Sequence, residues 1–276
     1  MEGLDLFLVA TNTIGFICVC SALIKFLKWV WVVFLRPPKN LKEYGSWAII
    51  TGSTDGIGKA MAFELASKGL NLLLVGRNPL KLEATSKEIR DRLDVEVKFV
   101  VIDMQKVEGV EIVKKVEEAI DGLDIGLLVN GAGLAYPYAR FFHEVDLELM
   151  DAIIKVNLEG ATWITKAVLP TMIKKKKGAI VNIGSGSTVV LPSYPLVTLY
   201  AATKAWIGYE KLVEPYFLHS VQGFLIRAIP DSLVDSYMLR YFLYWRGRGL
   251  SKDSNIKTSA ASNSEEANII NQDHTN

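Results

Sequence analysis

The chain has 276 residues, 50% of them hydrophobic, enough to bury one full core with an anchor or tail beside it. Its formal net charge of +1 excludes the strongly basic surface that nucleic-acid binding needs. Cys18 and Cys20 are the only cysteines, and His143, His219 and His274 are scattered, so neither a disulfide framework nor a metal site is expected.

The first element is apolar. Leu6 to Ile24 carries no charge; after Lys25 and Lys28 a second apolar piece, Trp29 to Leu35, runs to Arg36-Pro37-Pro38. About 20 apolar residues cross a bilayer, so residues 1–38 predict a membrane anchor with its juxtamembrane segment. Lys25, Lys28, Arg36 and Lys39 flank its C-terminal side, while Glu2 and Asp5 lie before it. The positive-inside rule then predicts a single pass with the rest of the chain in the cytosol. A cleaved signal peptide would place its basic residues first, the reverse of this order.

Residues 39–214 alternate apolar strands with helical patterns, which predicts an α/β fold built on a doubly wound parallel sheet. The strands fall at 47–50, 71–76, 96–102, 125–129 and 179–183. The helices fall at 57–68, 79–92, 107–120, 146–173 and 199–214. Asn78-Pro79 opens the second of these helices, with proline where its missing N–H costs nothing. Residues 215–250 are rich in Phe, Tyr and Leu with interspersed arginines, and read as an amphipathic element resting on a membrane or over an acyl channel. Gly223 to Pro230 reads alternatively as a sixth strand. Residues 251–276 are rich in Ser, Asn, Asp and Glu and predict a disordered tail.

Chemistry concentrates at the carboxyl ends of the predicted strands, where open α/β sheets bind ligands. Thr51-Gly52-Ser53-Thr54-Asp55-Gly56-Ile57-Gly58 links the first strand to a helix. Its glycines permit a tight turn, backbone approach to a pyrophosphate and close helix–strand packing, and the helix N-terminus adds unpaired N–H groups. After the second strand, Arg77-Asn78 offers no acid for a ribose 2′-hydroxyl; Arg77 suits a 2′-phosphate, favouring NADP over NAD. Asp103 follows the third strand, near where an adenine amino group would lie. Asn130-Gly131-Ala132-Gly133 makes a small-residue turn after the fourth.

Tyr200 and Lys204 supply a catalytic pair. Four residues apart on a helix, they share a face, and no other of the ten tyrosines has a lysine at that spacing. A free phenol is a poor acid–base group at neutrality, and a neighbouring ammonium favours its anion. Such a phenol can protonate a carbonyl oxygen while a nicotinamide delivers hydride. Ser185 and Ser187 leave the fifth strand with hydroxyls for that carbonyl. Asn157, a polar amide on an apolar helix face, requires a partner, either a backbone carbonyl or a water.

TGSTDGIG, NGAG, the asparagine of KVNLEG, the serine of NIGSGS and YAATK together resemble the short-chain dehydrogenase/reductase family. NLKEYGSWAIITG, YPYARFFHEVD and RPPKN are similar to its membrane-bound 3-oxoacyl-CoA reductases of very-long-chain fatty acid elongation, whose relatives include the 17-beta-hydroxysteroid dehydrogenases. The resemblance implies Tyr200 as acid–base residue, Lys204 as ribose-orienting cation and Asn157 as holder of a relay water. It also implies a carbonyl-polarising serine. Strand register favours Ser185, whereas counting thirteen residues back from Tyr200 selects Ser187. It implies NADPH held by residues 51–58, Arg77, Asn78, Asp103, Asn130, Ala132, Gly133, Tyr200 and Lys204. An acyl-CoA substrate, a lipid bilayer, other elongase subunits and an endoplasmic reticulum location follow from it too.

Two departures stand out. Asn130-Gly131 replaces paired asparagines, which implies a looser turn. After Lys204 the chain passes quickly to segments resembling the family's far C-terminus, as though several dozen residues, including a sixth strand, were missing. That departure keeps two rivals open: a hydroxysteroid-type ketone oxidoreductase, and an inactive relative acting as a binding or regulatory partner.

Overall fold

In the computed structural model the N-terminal apolar run forms one continuous helix, α1 (Glu2–Val30), which widens into a π-turn at Trp31–Leu35. The structure describes residues 2–37, 39–186, 195–205, 226 and 229–273. Within it Thr11–Val30 is long and apolar enough to span a membrane, and none of that stretch is buried against protein. Thr11 and Thr13 donate to the carbonyls of Phe7 and Val9, at 2.9 and 2.7 Å, so these polar residues are satisfied within the helix and do not break it. This N-terminal part, through Asn40, is a compact unit separate from the domain that follows.

The domain begins with β1 (Trp47–Thr51), every residue of which is buried. There follow α2 (Gly56–Ser67), β2 (Asn71–Gly76), α3 (Pro79–Arg92), β3 (Val97–Val101), α4 (Gly109–Ile120) and β4 (Ile125–Asn130). The predicted helix 146–173 is three pieces: α5 (Leu147–Ile154), a π-turn at Lys155–Gly160, and α6 (Ala161–Lys174). Then come β5 (Ala179–Asn182), α7 (Thr198–Ala205) and α8 (Asp231–Asp273). Side-chain caps fix several starts: Asn78 accepts from Lys81 N–H at 3.0 Å ahead of Pro79, and Asp146 from Leu149 N–H at 2.8 Å.

The five strands form a parallel sheet in the order β3-β2-β1-β4-β5. The direction of winding reverses between β1 and β4, which makes the crevice there the expected ligand site. One core packs Ile49, Leu73 and Leu128 against α4 and α6; the other packs Ile50, Leu72 and Val129 against α2 and α3. Every residue of β4 is buried, whereas Ala179, Ile180 and Val181 of β5 are half-buried and Asn182 is exposed. Among the described residues β5 is therefore an edge strand. The alternative sixth strand at 223–230 falls almost wholly outside the described residues, as do residues 206–214 of the predicted 199–214 helix.

The C-terminal part differs most from expectation. α8 continues through Asp273, where composition predicts a disordered tail from Ser251. From Ser251 to Asp273 the sequence has no glycine or proline to interrupt helical hydrogen bonding. Val234, Met238 and Phe242, spaced by four, bury one face of α8 against Tyr136, Ala139, Ile153, Leu196 and Val197. Arg246 clamps that contact by pairing with Glu144, with Nε–Oε2 at 3.2 Å, and by covering the Phe141 ring at 5.3 Å.

Candidate active site

The glycine-rich turn after β1 is built by steric exclusion. Gly52 has φ +67°, and a Cβ there would sit 2.8 Å from Ala132 Cα. A Cβ on Gly58 would overlap the Gly52 carbonyl, so α2 starts hard against the turn. Gly56, at φ +50°, faces open space, and Asp55 caps the helix by accepting from Gly56 N–H at 2.7 Å. This is a cradle with its backbone bared on one side and a helix N-terminus beneath it, which fits a pyrophosphate. Ile57, 61% exposed at the rim, presents an apolar side chain suited to a planar ring. Gly58→Ala is expected to abolish cofactor binding and to cost about 1–3 kcal/mol of stability, because the obstructing atom is backbone and cannot swing away. Cofactor fluorescence titration alongside denaturant melts checks both halves.

The predicted cradle residues divide by role. Thr51 is buried, and its Oγ1 accepts from both Gly131 and Ala132 N–H at 3.0 Å. It ties the turn after β4 to the turn after β1, so it positions the cradle and leaves no accessible hydroxyl for the ligand. These two bonds also correct the looser turn expected from Asn130-Gly131: a Cβ at Gly131 would lie 2.7 Å from the Thr51 carbonyl, so glycine lets the strands close. Ser53 is likewise fully buried, its hydroxyl 3.5 Å from Val75 O. Thr54 is half-buried in the same turn. Arg77 stands exposed just past β2, while Asn78 is committed to capping α3. Asp103 is half-buried past β3 and accepts from Gln105 N–H at 3.1 Å. Asn130 is buried, donating to Thr165 and Asn182.

The π-turn supplies the second half of the site. Inserting one residue into the helix turns Asn157 inward, where it is 1% exposed. Its Oδ1 accepts from Leu134 N–H at 2.7 Å and its Nδ2 donates to Leu134 O at 2.9 Å. Of the two partners predicted for it, the structure provides the backbone one. The same Nδ2 donates to Thr203 Oγ1 at 3.0 Å, and Thr203 in turn donates to the Tyr200 carbonyl at 2.9 Å. Thr203 therefore links Asn157 to the helix bearing the tyrosine. Sequence reasoning missed it; a polar residue inside YAATK was the available signal.

Lys204 is 6% exposed, and its Nζ donates to Ile183 O at 3.0 Å, close beside Gly133. Burial lowers its pKa from the ordinary lysine value of 10.5, and among the described residues no carboxylate offsets that cost. An ammonium carries three protons, so donors remain for a ribose beyond the bond to Ile183. Buried lysines held without an acid partner mark functional sites. Tyr200, one turn earlier on α7, is half-buried at the edge of the cluster that α8 closes. Just ahead of α7, Leu196 holds φ +62°, kept there by burial and by Arg140 N–H donating to its carbonyl at 2.9 Å. Ser185 is half-buried just past β5; Ser187 lies outside the described residues.

A parallel sheet with a glycine cradle at its switch point and a tyrosine–lysine pair beside it defines a nicotinamide-dependent oxidoreductase fold. A model of the short chain dehydrogenase family matches residues 46–212. The chain belongs to that family.

Its relatives include a very-long-chain 3-oxoacyl-CoA reductase-like protein of Arabidopsis thaliana, 37% identical across 86% of this chain and 94% of the plant protein. That alignment has 298 positions, although 86% of 276 residues is only about 237, so about 61 positions face gaps in this chain. The human very-long-chain 3-oxoacyl-CoA reductase is 41% identical across 66% of this chain, and human inactive hydroxysteroid dehydrogenase-like protein 1 is 40% identical across 69%. This chain spans 60% and 56% of those two proteins. Among solved structures, a 7beta-hydroxysteroid dehydrogenase superposes with TM-score 0.55 at 30% identity, over 61% of this chain and 65% of its own. A Sphingobium yanoikuyae short-chain dehydrogenase in complex with NADPH gives 0.51 at 32%, over 58% and 60%.

Proposed function

We propose that this chain is an NADPH-dependent reductase of very-long-chain 3-oxoacyl-CoA, giving the 3-hydroxyacyl-CoA. In this reading α1 anchors it in the endoplasmic reticulum membrane with the catalytic domain facing the cytosol. The observation that carries the reaction type is the half-buried Tyr200 one helical turn from the buried, acid-free Lys204. The reductases named in Arabidopsis and human support the substrate class.

Bound nicotinamide supplies the hydride for the ketone carbon. Tyr200 gives its hydroxyl proton to the ketone oxygen as charge develops there, so hydride and proton together make the alcohol. Lys204 places a fixed positive charge behind that phenol and donates to the ribose hydroxyls. Ser185 donates to the ketone oxygen, the role Ser187 takes in the other register. Asn157 and Thr203 hold the floor of the site, and the relay water assigned to Asn157 by resemblance would share its already occupied amide.

Arg77 pairs with the 2′-phosphate in this scheme. Arg77→Ala is expected to weaken NADPH binding about 10–100-fold and leave NADH binding unchanged, the loss of one charge-assisted contact. Parallel titrations with the two cofactors check it.

The deciding assay follows NADPH oxidation by the purified full-length chain in detergent, with a long 3-oxoacyl-CoA and with a 17-keto steroid. Turnover of the thioester is expected; preference for the steroid would move the assignment to a hydroxysteroid dehydrogenase. Protease access to the C-terminus in sealed microsomes tests the orientation. One observation favours a second reading: β5 is an edge strand among the described residues, and one relative is named inactive. Tight NADPH binding with no turnover of either ketone would make the chain a silent relative acting through elongase partners.

A further inference from the structure

α8 carries two apolar faces, and its domain uses only one. About a quarter-turn round the helix from the buried side of Val234, Met238 and Phe242, a flank runs through Leu233, Tyr237, Tyr241 and Tyr244, spaced by four, four and three residues. These side chains are 62%, 68%, 50% and 66% exposed. Arg240 and Arg248 fall on the same flank by helical spacing, and both are exposed. No acidic residue occurs between Asp235 and Asp253. Four large apolar or aromatic side chains in a row, exposed to water, form a surface of the kind that marks an interaction site.

The chemistry of this flank selects its occupant. Tyrosine rings with apolar bodies and polar tips, interleaved with arginines, match the boundary between lipid headgroups and acyl chains. With no acidic residue among them to repel lipid phosphate, these arginines complement an anionic bilayer. The tether agrees. Only residues 31–46 separate the end of the span at Val30 from β1 at Trp47. Extended chain reaches at most about 3.5 Å per residue, so the domain stays within roughly 60 Å of any bilayer that α1 crosses.

We propose that this outer flank of α8 docks on the anionic surface of the bilayer, with Leu233 and the three tyrosines in the headgroup region and Arg240 and Arg248 on lipid phosphates. The proposal rests on reading α1 as a membrane span. Docking holds α8 in place, and Val234, Met238 and Phe242 of the same helix belong to the cluster against which Tyr200 packs, so the helix that meets lipid also supports the catalytic tyrosine's surroundings.

The two native cysteines make the test clean. The full chain is reconstituted in phosphatidylserine-containing vesicles and labelled with an environment-sensitive fluorophore at one site per sample. The sites are native Cys20 inside the span, Tyr244→Cys on the flank, and Lys114→Cys on exposed α4; the other cysteines are replaced by alanine. The expected result is blue-shifted emission at position 244, quenched by headgroup-level nitroxide lipid, while position 114 reports water. Each of Arg240→Ala and Arg248→Ala is expected to lower the docked-to-undocked ratio about fivefold. A water-like signal at 244 with Cys20 quenched by mid-chain nitroxide overturns the docking and leaves the span standing. Cys20 unquenched by mid-chain nitroxide removes the span, and the proposal with it. Protection at 244 that ignores nitroxide lipid and disappears on diluting the protein among vesicles assigns the flank to a second copy, which also overturns it.

Discussion

Tyr200→Phe is expected to reduce ketone turnover about a thousandfold while changing NADPH affinity little. The ring of Tyr200 packs at the edge of the cluster formed by Leu196, Val197, Val234, Met238 and Phe242, and phenylalanine keeps those contacts. The substitution therefore removes one hydroxyl and no packing. Without it the ketone oxygen must find its proton from water, and the barrier rises by several kcal/mol. If Tyr200 served only to pack, the same substitution would leave kcat unchanged. Steady-state rates and a cofactor titration on one preparation distinguish these outcomes, because a misfolded variant would lose both signals.

Lys204→Met is expected to act in opposite directions on rate and stability. Turnover should fall about a hundredfold or more, since the fixed charge beside the phenol and a ribose donor both disappear. The apo-protein should gain about 1 kcal/mol. Lys204 loses hydration by burial and, among the described residues, has a hydrogen bond to Ile183 O in return; its lowered pKa says that the charged form is worse off in the fold than in water. Methionine of similar length fills the space without that penalty.

The pH dependence has a definite sign. Below the lowered folded pKa both states are protonated, and the penalty applies in full. Between that value and 10.5 the unfolded chain binds a proton that the folded chain has released, so rising pH stabilises the fold. Denaturant melts from neutral pH toward 10.5 should show the wild type gaining on Lys204→Met until the two converge. A parallel pair of curves would mean that the ammonium is solvated and that its burial has no functional meaning.

Much of the domain is legible from local pattern. β2 and α3 occupy their predicted residues, 71–76 and 79–92, because apolar runs, Pro79 and the Asn78 cap all act within a few residues of themselves. The cradle glycines were readable for a similar reason: turn geometry and helix initiation are short-range, and so is the tyrosine–lysine spacing. The span was readable as an uncharged apolar run. A hydropathy run ignores the bonds by which Thr11 and Thr13 satisfy themselves inside the helix.

What the sequence determined by itself was a membrane-competent helix, five strands, the bared glycine turn and two side chains one helical turn apart. Tertiary structure alone decided that β5 lies at an edge among the described residues, that Asn157 spends its amide on Leu134 and Thr203, that Thr51 braces two turns, and that α8 returns to the cluster beside Tyr200. Each of these joins residues tens of positions apart. Such contacts form because a buried donor must find an acceptor and a buried apolar face must find another, and the order of the sheet determines which of them come within reach.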